Sequence, residues 1–229
     1  MPRTEPLAQR ISRVRQAGPR ALPMKLWTTF YRRVVLMARP LDGTIPDAGP
    51  AESLDIRMLS EIDAFAYRRF RPDQDPDVVP LRLRQGHQCF AVWQDARIVH
   101  AAWAAINRVY IPYLRRHIIL APGIDVFVYD SFTLLSHRHH GLAHARAFRI
   151  LQHYRQAGYR RAMALIAVEN KAALGPSLGS GYRPQGMYRC LRFGPWQCTW
   201  SRSDSGEPLP ALIRAPDPTD EQPHVHECV

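Results

Sequence analysis

The chain has 229 residues, of which 31 are basic and 20 acidic, and its formal net charge is +11. This length suits one α/β domain with extensions better than two full domains. No stretch approaches the roughly 18 apolar residues of a membrane-spanning helix. The four cysteines show no Cys-x-x-Cys spacing and follow no secretory signal, so we expect reduced thiols in a cytoplasmic protein.

Charge is spread unevenly and divides the chain into three parts. Residues 1–52 are a basic extension and linker that we expect to be partly disordered. Residues 53–203 are expected to form the folded domain, and residues 204–229 an acidic, proline-rich, disordered tail. A basic domain points to anionic partners, such as a coenzyme phosphate, an acidic carrier protein, a nucleic acid or a membrane surface. A plain solvated basic surface is the alternative.

The extension contains one structured-looking stretch. Met24 opens it and could be the natural start of translation. Leu26–Ala38 is apolar and aromatic around two arginines. It is interpreted either as a segment lying on a membrane surface or a partner, or as an extra element packed on the domain. The second interpretation is favoured, because the stretch is short and half of it is β-favouring. Leu41–Ser53 is predicted to be a linker.

The first half of the domain is predicted to contain short strands and helices. Leu54–Leu59 alternates apolar and polar residues as a half-buried strand does, and Ser60 begins a helix. A second, short helix is predicted over Val78–Gln85. Two strands follow, Gln88–Trp93 and Arg97–Ile106, joined by a tight turn.

The middle of the chain leads to a strand, a turn and a helix. Val109–Ile119 is apolar and basic, and is interpreted either as a lid or wall for an acceptor or a long acyl chain, or as extra core packing. Val126–Leu135 is β-favouring and leads through the basic turn Ser136–Ala143 into a helix that begins at Leu142 and ends by Gly158. Such a turn presents unpaired N–H groups at the positive end of a helix dipole, which predicts a phosphate site.

The last third is predicted to close the sheet. Arg161–Val168 is apolar enough for a strand buried on both faces, and a weak helix runs from Asn170 to about Gly179. Tyr182–Phe193 and Trp196–Trp200 are predicted to be a closing pair of strands.

Two motifs indicate a fold. The stretch from Arg138 to Ala143 reads Arg-His-His-Gly-Leu-Ala and has the form Arg/Gln-x-x-Gly-x-Gly/Ala. A second signature follows at matching offsets and consists of Asn170, Ala173, Gly181 and Tyr182. In this order, the two motifs resemble those of the GNAT superfamily of N-acyltransferases, and the resemblance covers residues 54–202. It implies an α/β fold of the mixed α+β kind, in which helices flank a mixed sheet of six or seven strands.

The resemblance also implies how coenzyme A (CoA) would bind. The pyrophosphate would lie against the backbone amides of His139–Ala143, where Gly141 allows close approach and Arg138 adds positive charge. The pantetheine arm would pair with the strand before this loop. Asn170 would face the arm, and it could also cap the following helix. The implied coenzyme-binding residues are Phe132, Thr133, Leu134, Leu135, Arg138, His139, His140, Gly141, Leu142, Ala143 and Asn170.

Acyl transfer from a thioester to an amine needs a neutral amine, a stabilised oxyanion and a thiolate that can leave. By the resemblance, a carboxylate on or beside the central strand acts as base. Asp130 is predicted to be that base, with Asp125 and Glu169 as alternatives and a structural aspartate as the competing interpretation. Ser177 stands where many relatives have a leaving-group tyrosine. Either the thiolate leaves with help from water, or Ser177 only hydrogen-bonds the sulfur.

The favoured function is an N-acyltransferase that moves an acyl group, most simply acetyl, from CoA to a primary amine of a small molecule, peptide or protein. One alternative is transfer of a longer acyl group from acyl-CoA or an acidic acyl carrier protein. The other is a catalytically silent GNAT-fold module that binds a nucleotide or a partner protein. A homodimer is compatible with the sequence. No metal is expected, because the clustered histidines fall partly in the phosphate loop, and no nucleic-acid reader motif is present.

Overall fold

The computed structural model describes residues 30–45, 54–193 and 196–214. The expectations for residues 1–29, for most of the linker and for the end of the tail lie outside the described residues, as does the suggested start at Met24. Within the described ranges, no helix is long and apolar enough to cross a membrane.

The described residues form eleven strands and four helices. The strands are β1 (Tyr31–Pro40), β2 (Asp55–Met58), β3 (Gln88–Gln94), β4 (Arg97–Ala105), β5 (Arg108–Ile111), β6 (Arg116–Ile119), β7 (Asp125–Thr133), β8 (Arg161–Ala167), β9 (Arg183–Phe193), β10 (Trp196–Ser203) and β11 (Leu212–Arg214). The helices are α1 (Ala64–Phe70), α2 (Val78–Arg84), α3 (Leu142–Gln156) and α4 (Lys171–Gly179). Short 3₁₀ turns, Glu61–Asp63 and Leu135–His137, come before α1 and α3.

Eight of these strands form one mixed sheet in the order β10-β9-β1-β8-β7-β4-β3-β2, and β5, β6 and β11 form a separate three-stranded sheet. Strands β7 and β8 pair in parallel, and the other neighbours in the large sheet pair antiparallel. Helices α3 and α4 pack on one face of the large sheet. Helices α1 and α2 and the small sheet cover the other face. The predicted mixed sheet flanked by helices is confirmed, with eight strands rather than six or seven.

Strand β1 lies inside the large sheet, between β9 and β8. It pairs with β8 from Val34, opposite Ala167, to Pro40, opposite Arg161. Its buried apolar residues are Val34, Leu36, Met37 and Ala38. The segment favoured as an extra element packed on the domain is therefore an integral strand of its sheet, and the fold includes residues before the predicted boundary at 53. A strand buried on both faces carries no alternating pattern by which its place could be predicted.

The small sheet explains two further stretches. Strands β5 and β6 form a hairpin whose apolar residues, including Val109, Leu114 and Ile118, are buried in the core. Val109–Ile119 is thus core packing rather than a lid. Strand β11 pairs with β6, and the Tyr188 hydroxyl donates to the Pro210 carbonyl at 2.7 Å. The expected disordered tail is therefore corrected for residues 204–214, which belong to the folded domain.

Candidate active site

A cleft opens between the two parallel strands of the large sheet. Strands β7 and β8 pair only where Asp125–Phe127 lies opposite Arg161–Met163. Beyond these three pairs the strands separate, and the following β7 residues, Val128, Tyr129 and Asp130, are half-buried rather than buried. The edge of β7 that faces β8 therefore carries backbone N–H and C=O groups that are not paired with a neighbouring strand there, and an extended ligand can use them.

Asp125 holds the closed end of the cleft together. It accepts from Arg161 Nε at 2.7 Å and from Arg161 Nη2 at 3.0 Å, so the first residues of β7 and β8 are joined by a bidentate ion pair. It also accepts from the Ala121 amide at 3.0 Å, and it is almost fully buried. These contacts occupy the carboxylate, which leaves Asp125 a structural residue rather than a candidate base.

The open end of the cleft meets the loop before α3. His139 and Gly141 both have left-handed backbones, with φ of 67° and 74°. Within the described part of the chain, the amides of residues 139–143 donate to no backbone carbonyl, whereas the next amide, of His144, bonds to the Gly141 carbonyl at 3.0 Å. Five consecutive free amides at the start of a 15-residue helix are a ready anion site.

The other predicted coenzyme-binding residues surround this loop. Arg138, His139 and His140 are exposed, and Arg138 Nε lies 3.4 Å from the Thr133 carbonyl. Leu135 is 77% exposed at the mouth of the cleft, whereas Leu142 is buried and anchors the helix start. Phe132, Thr133, Leu134 and Ala143 are half-buried. The strand, the loop and the helix start thus bring this whole group together at one end of the cleft.

Beneath β7, a buried arginine organises two hydroxyl groups. Arg146 on α3 donates through Nε to His100 Nε2 at 3.0 Å and through Nη2 to Ser131 Oγ at 2.8 Å. Because His100 Nε2 accepts, its Nδ1 carries the proton and donates to Thr133 Oγ1 at 2.7 Å. No described carboxylate forms an ion pair with Arg146. Burial lowers the pKa of Arg146 to about 10 and that of His100 to about 2, so at neutral pH the arginine is charged and the histidine neutral.

On the other side of β7, Asp130 sits in a β-bulge between two arginines. The register of β4 against β7 shifts between Ala101 and Trp103, and Asp130 has a φ of 47°. Its Oδ1 accepts from Arg71 Nη1 at 3.0 Å, and its Oδ2 accepts from Arg82 Nη1 at 2.7 Å. Both carboxylate oxygens are thus occupied by ion pairs with the two arginines.

Tyr129, the neighbour of Asp130, is coupled to a buried histidine. The Tyr129 hydroxyl and His87 Nδ1 are 2.6 Å apart, and His87 Nε2 lies 3.3 Å from the Arg108 carbonyl. A carbonyl can only accept, so Nε2 carries the proton and Nδ1 accepts from the tyrosine. Burial lowers the pKa of His87, and the charge of Arg82 lowers it further. His87 is therefore a neutral base at physiological pH.

Helix α4 carries the remaining predicted residues. The Asn170 side chain accepts from the Ala173 amide at 3.2 Å, so it caps the helix, as the alternative interpretation held. Ser177 is half-buried in the last turn of the helix. Gly181 has a φ of 83°, and a Cβ there would lie 2.6 Å from Arg39 Nη1. The left-handed backbone favours glycine at this position of the second motif, and an added side chain would also displace the Arg39 guanidinium.

Sequence reasoning missed five polar residues that contact β7 from α1, α2, β3, β4 and α3 or their ends: Arg71, Arg82, His87, His100 and Arg146. Their polarity inside apolar or helical stretches was the available signal, but a single sequence does not indicate which strand they face. The clustered histidines make separate contacts. His137 Nδ1 is 2.8 Å from Ser136 Oγ, and His144 packs edge-on against Phe148. Among the described residues, no group of three His, Cys, Asp or Glu side chains could hold a metal ion.

The fold recurs in solved acetyltransferase structures. This chain is similar to a GNAT-family acetyltransferase from Novosphingobium aromaticivorans, with 18% identity, 69% of this chain and 62% of that one covered, and a TM-score of 0.50. It is also similar to a GNAT-family acetyltransferase from Colwellia psychrerythraea, with 11% identity, 67% and 53% covered, and a TM-score of 0.50. A third similar structure is the glucosamine N-acetyltransferase region of a fungal multi-domain β-N-acetylglucosaminidase, with 14% identity, 69% and 20% covered, and a TM-score of 0.52.

No protein-family model and no curated protein matches the chain. The chain spans less than two thirds of each of these three structures. At these identities the likeness concerns the fold, and it confirms the fold that the two sequence motifs predicted: this chain has the fold of the GNAT acetyltransferases.

Proposed function

We propose that this chain transfers an acyl group, in the simplest case acetyl, from CoA to a primary amine. The observation that carries the proposal is the row of free amides at residues 139–143, which lies at the mouth of the cleft between β7 and β8. A phosphate needs several converging donors and a positive helix end, and this loop offers both. Gly141 adds close backbone approach, since a Cβ at this position would have no protein atom within 4 Å and would obstruct only the phosphate.

The edge of β7 is suited to the pantetheine arm. An extended chain that carries amide groups can pair with a strand edge as an additional strand would. Residues 128–133 provide such an edge, because β8 has already separated from them. The Thr133 hydroxyl accepts from His100, so its own proton is free to be donated into the cleft. These features support an arm that runs from the loop towards the bulge at Asp130.

The reacting thioester would then lie beside the bulge, where a β7 amide can stabilise the oxyanion. We assign the proton-accepting role to His87 acting through the Tyr129 hydroxyl, because His87 is neutral and its Nδ1 already accepts from that hydroxyl. Asp130, the predicted base, is better suited to hold Arg71 and Arg82. Ser177 remains a predicted weak partner of the leaving sulfur.

The experiment compares two glycines with the same backbone requirement. Gly141 and Gly158 precede and follow α3, both have positive φ, and at neither would an added Cβ have another atom within 4 Å. Valine at either site carries similar backbone strain, but only Gly141→Val obstructs the proposed phosphate site. Calorimetry should show that Gly141→Val lowers CoA affinity by at least about 100-fold, because two or more bonds to a charged group are worth about 1.5–3 kcal/mol each.

Gly158→Val should bind CoA as the wild type does. Equal CoA affinity in the two folded variants, or no CoA binding by the wild type, would contradict the proposal. Release of free thiol from acetyl-CoA with a panel of primary amines tests the transfer step. CoA binding without any turnover across the panel would support the silent binding module instead.

A further inference from the structure

Among the described residues, one face of the large sheet is largely open at its β10 end, where only the rings of Phe30 and Tyr31 lie against Phe193 and Trp200, at centroid distances of 5.7 and 6.3 Å. Residues directly paired across strands place their side chains on the same face. Along one row Arg33 pairs with Arg189, and Arg189 with Trp200; along others Leu191 pairs with Cys198, and Phe193 with Trp196. The aromatic–arginine face is the surface that these rows form. Its apolar members are Leu191, Phe193, Trp196 and Trp200, and its basic members are Arg33, Arg189 and Arg202.

The opposite face of β1 and β9 is well covered. Val34, Tyr188 and Cys190 are buried against the small sheet, and Arg192 donates to the Tyr113 carbonyl at 3.0 Å. On the aromatic–arginine face, by contrast, Trp196 is 80% exposed and Phe193 is 70% exposed. The strands are therefore held in place by one face, while the other presents large apolar side chains to solvent. Contiguous exposure of this kind marks an interaction surface.

The charge of these strands indicates what they contact. Of the seven arginines in strands β1, β9 and β10, Arg33, Arg189 and Arg202 belong to this face, and the three strands contain no aspartate or glutamate. Two exposed tryptophans beside arginines are the side chains that favour the interface between water and lipid headgroups. A negatively charged headgroup layer would attract the arginines while the indole rings enter the boundary.

We propose that the aromatic–arginine face docks on an anionic membrane surface, with the Trp196 side chain in the headgroup region and the arginines on the lipid phosphates. A second copy of this chain fits less well. In a two-fold contact the same face meets itself, so both sides would carry Arg33, Arg189 and Arg202, and these strands offer no carboxylate to pair with them. The proposal stands on residues outside the cleft and does not depend on the proposed acyl transfer.

The test uses the full chain and sedimentation with vesicles of phosphatidylcholine alone or mixed equally with phosphatidylglycerol. We expect binding to the anionic vesicles that weakens as salt is raised. Trp196→Ala combined with Trp200→Ala should lower the partition coefficient by at least about tenfold, given the apolar area withdrawn from the interface. Replacing the three arginines with glutamine should lower it by about 100-fold, at roughly 1 kcal/mol for each basic residue.

Matched controls come from other exposed sites. Phe65→Ala on α1 removes an aromatic side chain that is 72% exposed, and Arg97→Gln on β4 removes an exposed arginine. Both should bind vesicles as the wild type does. Cys198 lies between Trp196 and Trp200 on the same strand and is exposed, whereas Cys89 and Cys190 are buried. In a Cys228→Ser background, a polarity-sensitive dye on Cys198 should report an apolar environment with anionic vesicles only.

Three results would overturn the proposal. The first is the absence of binding to anionic vesicles. The second is binding that the tryptophan and arginine variants leave unchanged, since this would place the contact elsewhere on a basic chain. The third is a concentration-dependent dimer in sedimentation velocity that Trp196→Ala abolishes while vesicles fail to bind, which would assign the face to a second copy.

Discussion

Replacing Asp130 with asparagine separates the two roles that its position in the cleft allows. The carboxylate is 19% exposed and accepts from Arg71 at 3.0 Å and from Arg82 at 2.7 Å. Asparagine keeps the size of the side chain and removes its charge. If Asp130 positions the two arginines, the variant should lose stability more than turnover. If Asp130 is the general base, the variant should lose turnover more than stability.

The size of the stability loss depends on which carboxylate partner each arginine retains in the variant. Arg71 retains Asp73, whose Oδ1 lies 2.9 Å from Arg71 Nε, whereas Arg82 loses its carboxylate partner. Removing one partner of a buried ion pair costs about 3–5 kcal/mol. Because water reaches both side chains, we expect a smaller loss of about 2–3 kcal/mol, which lowers Tm by roughly 4–12 °C in a domain of this size. A general base, by comparison, contributes about 10²–10⁴-fold to turnover.

Thermal unfolding measures the loss of stability, and thiol release measured well below Tm gives the loss of turnover. Asp73→Asn is the matched control, because Asp73 also pairs with Arg71 but is 63% exposed, so its loss should cost under about 1 kcal/mol. Adding Arg82→Met to Asp130→Asn removes the unpaired cation and should recover part of the lost stability. An Asp130→Asn protein that melts with the wild type but turns over at least about 100-fold more slowly would refute the positioning role and restore Asp130 as the base.

Two further predictions concern stability. The pKa of His100 falls from its usual value to about 2 through burial. Between about pH 6.5 and pH 2, His100 binds a proton in the unfolded chain but not in the folded chain, so it should make the protein less stable as pH falls, by about 2 kcal/mol between pH 7.5 and 5. In urea unfolding, His100→Asn should remove this part of the pH dependence of the unfolding free energy. An unchanged pH dependence would contradict the buried, neutral histidine. Ending the chain after Ser203 removes β11, and with it Leu209 and Leu212 from the core, so Tm should fall by several degrees. Ending it after Arg214 should leave Tm unchanged, and equal melting of the two truncated proteins would mean that β11 contributes no stability.

Much of the fold could be predicted from local pattern. The hairpin of β3 and β4, the strand β8 and the passage from β7 through a basic turn into α3 all lie close to the predicted residues, because each is specified by hydrophobic periodicity and turn residues within a short window. The free amides at 139–143 followed from the same local information. The first four amides of any helix have no partner within the helix, and a glycine at the N-cap has no side chain that could accept from them.

The residues around Asp130 and His100 could not be predicted in this way. The helical pattern of α3 does not show whether Arg146 is buried or solvent-exposed. His100 lies within an apolar strand, and this position predicts only that it is buried. Their roles arise from long-range contacts: Arg146 and His100 are 46 positions apart in the chain, and His100 and Thr133 are 33 positions apart. Arg71 and Arg82 reach Asp130 across 59 and 48 positions. Register between distant strands decides these contacts, and no short window contains it.

The place of β1 explains how the sheet can contain a cleft at all. Two neighbouring strands that separate leave backbone groups that water or a ligand must pair, so each strand has to be held in place from its other side. Strand β8 is held by β1 over seven residue pairs, and β7 is held by β4 over five, while β7 and β8 share only three. The cleft therefore depends on a strand that was assigned by sequence to the region outside the domain. A chain that began at residue 53 would lack the partner of β8 and the Arg39 side chain that packs under α4, so β8 and the second motif would lose their support together.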